Sequence, residues 1–368
     1  MKKAKGPGSR VHGADAARRI LRDAIASRVF PGASVEVGGS NGPLWQDAIG
    51  RLSFDESSAS PAGNPAPVGP VAVDTPFDLA SLSKPIVTAT VFMQLVDAGA
   101  VSLDERVSAG FPDWTGGDRA RATVTDLLEH ASGLPARLVD APPSSRREFE
   151  HDVCVLPLEY APRTRSIYSD LGFILLGFLA ADRGNAPFTS QFETIAETFA
   201  LDLTFARSGH RRRRAAPTTA LPEDIRRGRT LVGEVHDNYA AALGGAAGHS
   251  GLFGTAPAVG AFARAVLKAA RGDDLPAPLT SALVRRFTTR SLVPGSSRAL
   301  GWDTMVATSS CGSRMSPSAF GHVGFTGTSL WIDPERDRYF VLLTNRAHRG
   351  GSLAEMRAIR RAFHDALI

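Results

Sequence analysis

Residues 77–85 read FDLASLSKP, an apolar approach to two serines and a lysine, closed by proline. From Ser81 onward SLSKPIVTATVFMQLVDAG carries apolar residues at 86, 87, 91, 92, 95 and 96, the spacing of a helix that Gly99 closes and that tolerates Pro85 only near its start. Ser81 and Lys84 are then one turn apart on one face, with the positive end of the helix dipole beside the serine oxygen. A potential nucleophile thus has a base in reach. The pattern by itself is weak, since S-x-x-K arises by chance about once or twice in a chain of this length. The competing reading is a lysine stem lying along the helix with its head in water. Composition adds weight: Lys84 and Lys268 are the only lysines after residue 5, in a chain with 42 lysines and arginines together. A guanidinium stays protonated at any working pH, whereas a desolvated amine gives up its proton and acts as a base.

Two further segments carry chemistry. Residues 163–177, RTRSIYSDLGFILLG, take a polar loop into an apolar helix with Tyr168 and Asp170 at the junction. Residues 321–334, GHVGFTGTSLWIDP, run from glycines into a strand. With FDLASLSKP these three ordered motifs resemble the serine β-lactamase and penicillin-binding-protein superfamily, in particular the branch of class C β-lactamases, D-alanyl-D-alanine peptidases and related esterases. TVTDLLEHASGLP (123–135), GEVHDNYAAALGGAAGHSGLFGTA (233–256), LGWDT (300–304) and LLTNRAHRG (342–350) look like the same branch, so the resemblance covers nearly the whole body of the chain.

The resemblance implies that Ser81 is the acylated nucleophile, Lys84 its proton acceptor, and Tyr168 the phenol that relays protons to and from the leaving group. Tyr168 serves only if its pKa falls, which a neighbouring ammonium is expected to bring about; the plainer alternative is a ring capping the helix with its hydroxyl in water. His322-Val323-Gly324 takes the K-T-G position on an edge strand lining the cleft, with Gly324 letting substrate approach. The backbone N–H groups of Phe325 and Ser81 become the oxyanion hole, and Asn345 joins the substrate-binding set. The branch uses neither metal nor cofactor. His236, Asp237 and His249 fit no standard metal-ligand spacing and are taken as structural.

Three positions depart from the branch. Histidine at 322 makes positive charge there depend on pH, and Val323 lacks the hydroxyl that holds a substrate carboxylate. Asp170 stands where asparagine is usual: it either pairs with Lys84, favouring the ammonium, or caps a helix, and both readings stay open. Together these favour a serine hydrolase working through an acyl-serine on small esters, or on amide or peptide substrates, with weak or no β-lactam hydrolysis. The alternative is a non-catalytic, penicillin-binding-like ligand sensor.

The elements that must position these residues are legible in outline. The 368 residues are 43% apolar and 21% charged, ordinary for a globular protein. ASVEVGG (33–39) and PLWQDAIG (43–50) flank a Ser-Asn-Gly turn, and SLWIDP (329–334) with RYFVLLTN (338–345) forms a second hairpin candidate. A helix around Ile20, Leu21, Ala24 and Ile25 precedes the first hairpin, and one with Leu353, Met356, Ile359, Phe363 and Leu367 on one side follows the second. The fold expected is α+β: an antiparallel sheet formed by both chain ends and flanked by terminal helices, a mostly helical lobe, and the active site at their seam. Residues 1–13 read as a flexible tail. Residues 14–368 read as a single domain, with an α/β lobe from about 14–75 and 290–368 and a helical lobe from about 76–289. The segments 133–165 and 205–235 read as irregular.

The net charge of +5 is small, and the run Arg211–Arg214 has no interleaved aromatics, so no nucleic-acid partner is expected. Cys154 and Cys311 read as buried free thiols. No apolar run reaches membrane-spanning length, and the basic N-terminus lacks an apolar core behind it. The expectation is cytoplasmic residence, or periplasmic for a chain that has lost an export signal. The sequence assigns no oligomeric state.

Overall fold

The computed structural model describes residues 11–54, 67–138, 141–205 and 214–368. Helix α1 (Ala14–Ala26) leads into the hairpin β1 (Gly32–Gly39) and β2 (Gly42–Gly50). The middle of the chain runs β3 (Phe77–Asp78), α2 (Thr90–Asp97), α3 (Val124–Leu128), α4 (Arg146–Val155), α5 (Asp170–Arg183), α6 (Phe188–Thr198), β4 (Thr204–Phe205), β5 (Thr218–Thr219) and β6 (Thr230–Leu231). It continues with α7 (Asn238–Ala242), β7 (Leu252–Gly254), α8 (Ala256–Ala270), α9 (Ser281–Thr288) and β8 (Asp303–Thr304). The C-terminal part is β9 (Phe320–Val323), β10 (Ser329–Asp333), β11 (Arg338–Thr344) and α10 (Leu353–Ala366).

The main sheet is antiparallel in the order β2-β1-β11-β10-β9-β8. β1 zips onto β11 from Ala33↔Thr344 to Gly38↔Tyr339, so the two chain ends share one sheet. Alternate residues face opposite ways along each strand. Val35, Val37, Trp331, Phe340 and Leu342 meet α1 and α10 on one face, while Leu330, Ile332, Tyr339, Val341 and Leu343 join the core containing α8 on the other. Cover on both faces explains why β1 and β10 are buried at every position instead of alternating. The terminal helices flank the sheet as expected; α8, from mid-chain, supplies the second layer. Behind it α2, α5 and α6 pack through residues such as Phe92, Phe173, Ile174 and Phe192.

The structure differs from the sequence reading in several places. The segment 133–165 contains helix α4, capped by Ser145 and burying Phe149, Val153 and Cys154; its mostly charged sequence hides the periodicity. The helix expected from Ser81 is a 3₁₀ turn at Ala80–Leu82, a π turn at Lys84–Ala89, and α-helical only from Thr90. Pro85 brings no N–H to this first turn, and the Thr90 hydroxyl takes up the Pro85 carbonyl at 3.2 Å. On α10, Leu353 is 51% exposed while Arg360 and His364 are buried, because these two find backbone carbonyls and the Ser329 hydroxyl respectively. Strand β9 is not the outer edge along its whole length, since β8 pairs with its Phe320 and Gly321. Both cysteines are free and buried. No helix among the described residues is long and apolar enough to cross a membrane. Residues 1–10 of the expected tail and Arg211–Arg213 of the basic run lie outside the described residues; Arg214 pairs with Asp74 at 3.2 Å.

The turn after β9 is fastened to the segment that carries Ser81. Thr326 Oγ1 donates to the Asp78 carbonyl at 2.7 Å and Thr328 Oγ1 to the Leu79 carbonyl at 2.9 Å. A Cβ on Gly324 would lie 2.1 Å from Thr328 Oγ1 and 2.6 Å from the Leu79 oxygen. The missing side chain of Gly324 thus admits the backbone leading to Ser81. Gly324→Ala is expected to cost about 1–3 kcal/mol, as overpacking does. An unchanged urea midpoint for this variant would show that the two segments do not need such close contact.

Candidate active site

Ser81 follows a left-handed residue, Ala80, at φ 48°. Asp78 holds this strained corner by accepting the Ala80 N–H at 2.8 Å on one carboxylate oxygen and the His236 N–H at 2.6 Å on the other. Burial pushes the Asp78 carboxyl up to about 6.

One turn on, Lys84 is fully buried. Its Nζ donates to Ser81 Oγ at 3.1 Å, Asp170 Oδ1 at 2.7 Å and the His249 carbonyl at 3.2 Å, which uses every hydrogen of an ammonium. Burial pulls the Lys84 pKa down, yet the Asp170 carboxylate and Tyr168 phenol carry it above the ordinary lysine value. The structure thus decides the alternative left open for Asp170. Ser169 caps α5 through its hydroxyl, and Asp170, in the first turn, pairs with Lys84.

Tyr168 donates to Ser81 Oγ at 2.6 Å, so the serine oxygen sits between phenol and ammonium. The tyrosine is framed from behind. Its ring lies 4.6 Å from that of His130, whose Nδ1 accepts the Ser169 N–H at 3.0 Å and whose carbonyl accepts the Ile167 N–H at 3.0 Å. Accepting at Nδ1 places the His130 proton on Nε2. The expected fall in the Tyr168 pKa is not what the structure gives: burial raises it more than the ammonium lowers it.

A ring of charge supports this centre. Arg137 donates to Asp170 Oδ2 at 2.9 Å, Asp237 Oδ2 at 3.1 Å and Asn238 Oδ1 at 2.6 Å, and lies 4.1 Å over the Tyr239 ring. His249 Nε2 meets Asp237 Oδ1 at 2.7 Å, and the His249 carbonyl returns to Lys84. Burial works against both aspartates, but Lys84 foremost holds Asp170, and His249 foremost holds Asp237, below the usual carboxylate range.

A cavity of about 320 Å³ opens over Ser81, with Tyr168, Asp170, Arg137, Asp237 and Phe325 in its wall. Phe325, 41% exposed, stacks on the His236 ring at 5.3 Å. The structure therefore brings together Ser81, Lys84, Tyr168, Asp170 and Phe325. It does not bring Asn345, which is 1% exposed and spends its Nδ2 on the Leu52 and Pro217 carbonyls at 2.8 and 3.2 Å; it ties loops. His322 lies behind Tyr168, ring centroids 6.0 Å apart, with Nδ1 on the Val323 carbonyl at 2.9 Å. Burial drives its pKa well below the ordinary value, so the pH-dependent charge expected at 322 is absent near neutrality. Sequence reasoning missed Arg137, one arginine among many. It set His249 and Asp237 aside as structural although their glycine-rich setting and helix-cap context were visible. Among the described residues no group of three or more His, Cys, Asp or Glu is placed to hold a metal ion.

A family model described as Beta-lactamase matches residues 17–364. The chain is 30% identical over 305 residues to an N-acetylmuramyl-L-alanine amidase of Bacillus subtilis (strain 168), covering 74% of this chain and 68% of that one. It is 29% identical over 305 residues to a putative D-alanyl-D-alanine carboxypeptidase of Escherichia coli (strain K12), covering 74% and 70%. Among solved structures, EstCE1, a hydrolase with promiscuous acyltransferase activity, superposes with a TM-score of 0.72 at 18% identity over 96% of this chain and 98% of that one.

Because Asp170 raises the pKa values of both Lys84 and Tyr168, Asp170→Asn should move the rising limb of the pH–kcat/KM profile toward lower pH. A limb that stays in place would show that the carboxylate does not govern the pair. A second pH effect concerns stability. His130, His236, His322 and His364 are held neutral by burial, which lowers His236 to about 4 and His364 to about 3. Their stabilisation is complete above the unfolded value near 6.5 and is lost as pH falls toward the folded values; for His236 and His364 the loss at pH 5 is about 2 kcal/mol each, and His130 and His322 act in the same direction. Asp78, with its raised pKa, returns only about 1 kcal/mol over the same interval. The urea midpoint should therefore fall between pH 7 and 5; a flat profile would mean that these imidazoles reach water.

Proposed function

The chain belongs to the β-lactamase family and is a serine hydrolase, and from that premise we propose that Ser81 is acylated by small esters or by amide bonds of peptide type in preference to β-lactams. The observation that carries this reading is the serine oxygen held by both Tyr168 and Lys84 at the wall of a cavity of small-molecule size.

The protons can be followed. When the Lys84–Tyr168 pair has lost one proton, Asp170 keeps the remaining charge on Lys84, which leaves the phenolate on Tyr168. Tyr168, 2.6 Å away, then takes the Ser81 proton as Oγ attacks the substrate carbonyl carbon. In this reading Lys84 is the electrostatic partner and Tyr168 the base. The N–H groups of Phe325 and Ser81 receive the oxyanion. Tyr168 next protonates the departing alcohol or amine, leaving the acyl-serine; later it takes a proton from the attacking water and delivers it to Ser81 Oγ as the acyl C–O bond breaks, which restores the serine and the phenolate. The preference against β-lactams follows from a weak carboxylate clamp, since His322 is neutral, Val323 has no hydroxyl and Asn345 is occupied elsewhere. The two buried thiols suit a reducing compartment, and cytoplasmic residence is part of the proposal.

A saturated Lys84 ammonium also favours a second reading, a ligand sensor that binds without turnover. One experiment separates them: incubation with a fluorophosphonate or a penicillin, then peptide mass spectrometry. The hydrolase reading expects a covalent adduct on Ser81 that is absent in Ser81→Ala, and p-nitrophenyl esters turned over about a hundredfold faster than nitrocefin. No adduct with either reagent would favour the sensor.

A further inference from the structure

Two guanidinium groups lie beneath the turn that follows β9, and among the described residues neither forms an ion pair with a carboxylate: both donate to backbone carbonyls. Arg360, in the middle of α10 and 4% exposed, donates to the Gly324 carbonyl at 2.7 Å and the Thr328 carbonyl at 2.9 Å. Its Nε is buried without a partner. Arg346 donates to the Phe325 carbonyl at 3.1 and 2.6 Å and to the Gly351 carbonyl at 3.0 Å. Burying cations without counter-ions is costly. Closing a turn needs only a neutral donor, so the charge itself calls for an explanation.

The peptide joining Gly324 to Phe325 supplies one. Its oxygen is the acceptor for Arg360; its N–H is that of Phe325. In a planar trans peptide the C=O and N–H point in opposite directions. With the oxygen anchored on α10, the N–H faces away from that helix, and Phe325 lines the cavity with Ser81. Amide resonance links the two ends, so a cation on the oxygen withdraws density from nitrogen and makes the N–H a stronger donor. With no carboxylate paired to Arg360 among the described residues, the guanidinium adds to the attraction for negative charge developing at the serine.

We propose that Arg360 is a positioning residue that, through the Gly324 carbonyl, aims and polarises the Phe325 N–H toward the oxyanion formed at Ser81. This rests on the reading of Ser81 as the acylated residue and of the Phe325 N–H as an oxyanion donor. Arg346 differs in kind. It holds the Phe325 carbonyl, whose peptide N–H belongs to Thr326, and so it secures the turn without acting on the donor.

The test is infrared difference spectroscopy of the enzyme acylated with the p-nitrophenyl ester of cinnamic acid, ¹³C-labelled at the carbonyl, with kcat and KM measured separately. In Arg360→Met the acyl carbonyl band should move to higher wavenumber and kcat should fall about tenfold, with KM changed less than about twofold, a smaller loss than deleting a donor outright. Arg360→Lys should recover most of both. Arg346→Met should lower the melting temperature but leave the band in place. If Arg360→Met does not fold, Arg360→Gln, which keeps an N–H but not the charge, takes its place and should shift the band in the same direction. Equal band shifts in the Arg346 and Arg360 variants, or an unmoved band and kcat in a folded Arg360 variant, would overturn the role of Arg360 while leaving the hydrolase reading intact. A wild-type protein that forms no acyl band would overturn both.

Discussion

A buried ammonium is the constraint around which this molecule is arranged. Lys84 is out of contact with water, and such a charge is tolerable only when every N–H finds an acceptor and an anion lies close by. Leaving one half of such a pair uncompensated costs about 3–5 kcal/mol. The fold meets the demand with groups from distant segments: the serine one turn back, the His249 carbonyl, and Asp170 in the first turn of α5, where the helix dipole also favours an anion. Asp170 then needs a partner for its second oxygen, which Arg137 provides, and Arg137 is tied in turn to Asp237 and Asn238. Each link is explained by the one before it. The outcome is a serine whose oxygen has little freedom of position.

The second requirement is closeness between two backbones. The turn after β9 must touch the segment at Asp78 and Leu79, and it does so through two threonine hydroxyls and a glycine without room for a side chain. The sheet made from both chain ends fixes where that turn starts, and α10 supports it from below through Arg360. Packing on both faces of the sheet is thereby transmitted to the cavity, because β9 enters the turn directly from the core.

The end of strand β9 brings no charge to the site. Residue 322, on the strand leading to the turn, is a neutral, buried imidazole beside a valine. Arg137 lines the cavity and is already committed to two aspartates. The apolar part of the cavity lining is Ala80, Ala136, Leu221 and Phe325.

Much of this was legible in the residue order. Hairpins and helices follow from short-range periodicity and turn residues, so β1, β2, α1, β10, β11 and α10 could be read directly, and α4 was missed only because charged residues blur its pattern. The serine–lysine pair was legible for the same reason: three residues on a tight helical turn bring two side chains together whatever the rest of the protein does. Recognition of the ordered motifs extended this to Tyr168 and Phe325. Tertiary structure decided what short-range spacing does not encode. Asp170 pairs with Lys84 across 86 positions and leaves the helix cap to Ser169, Asn345 is drawn into loop contacts, and His322 loses its charge. The reason is that a local pattern sets direction and distance within a turn, whereas a proton's affinity for its site is set by how much water is excluded and by which charges the fold brings near from elsewhere in the chain.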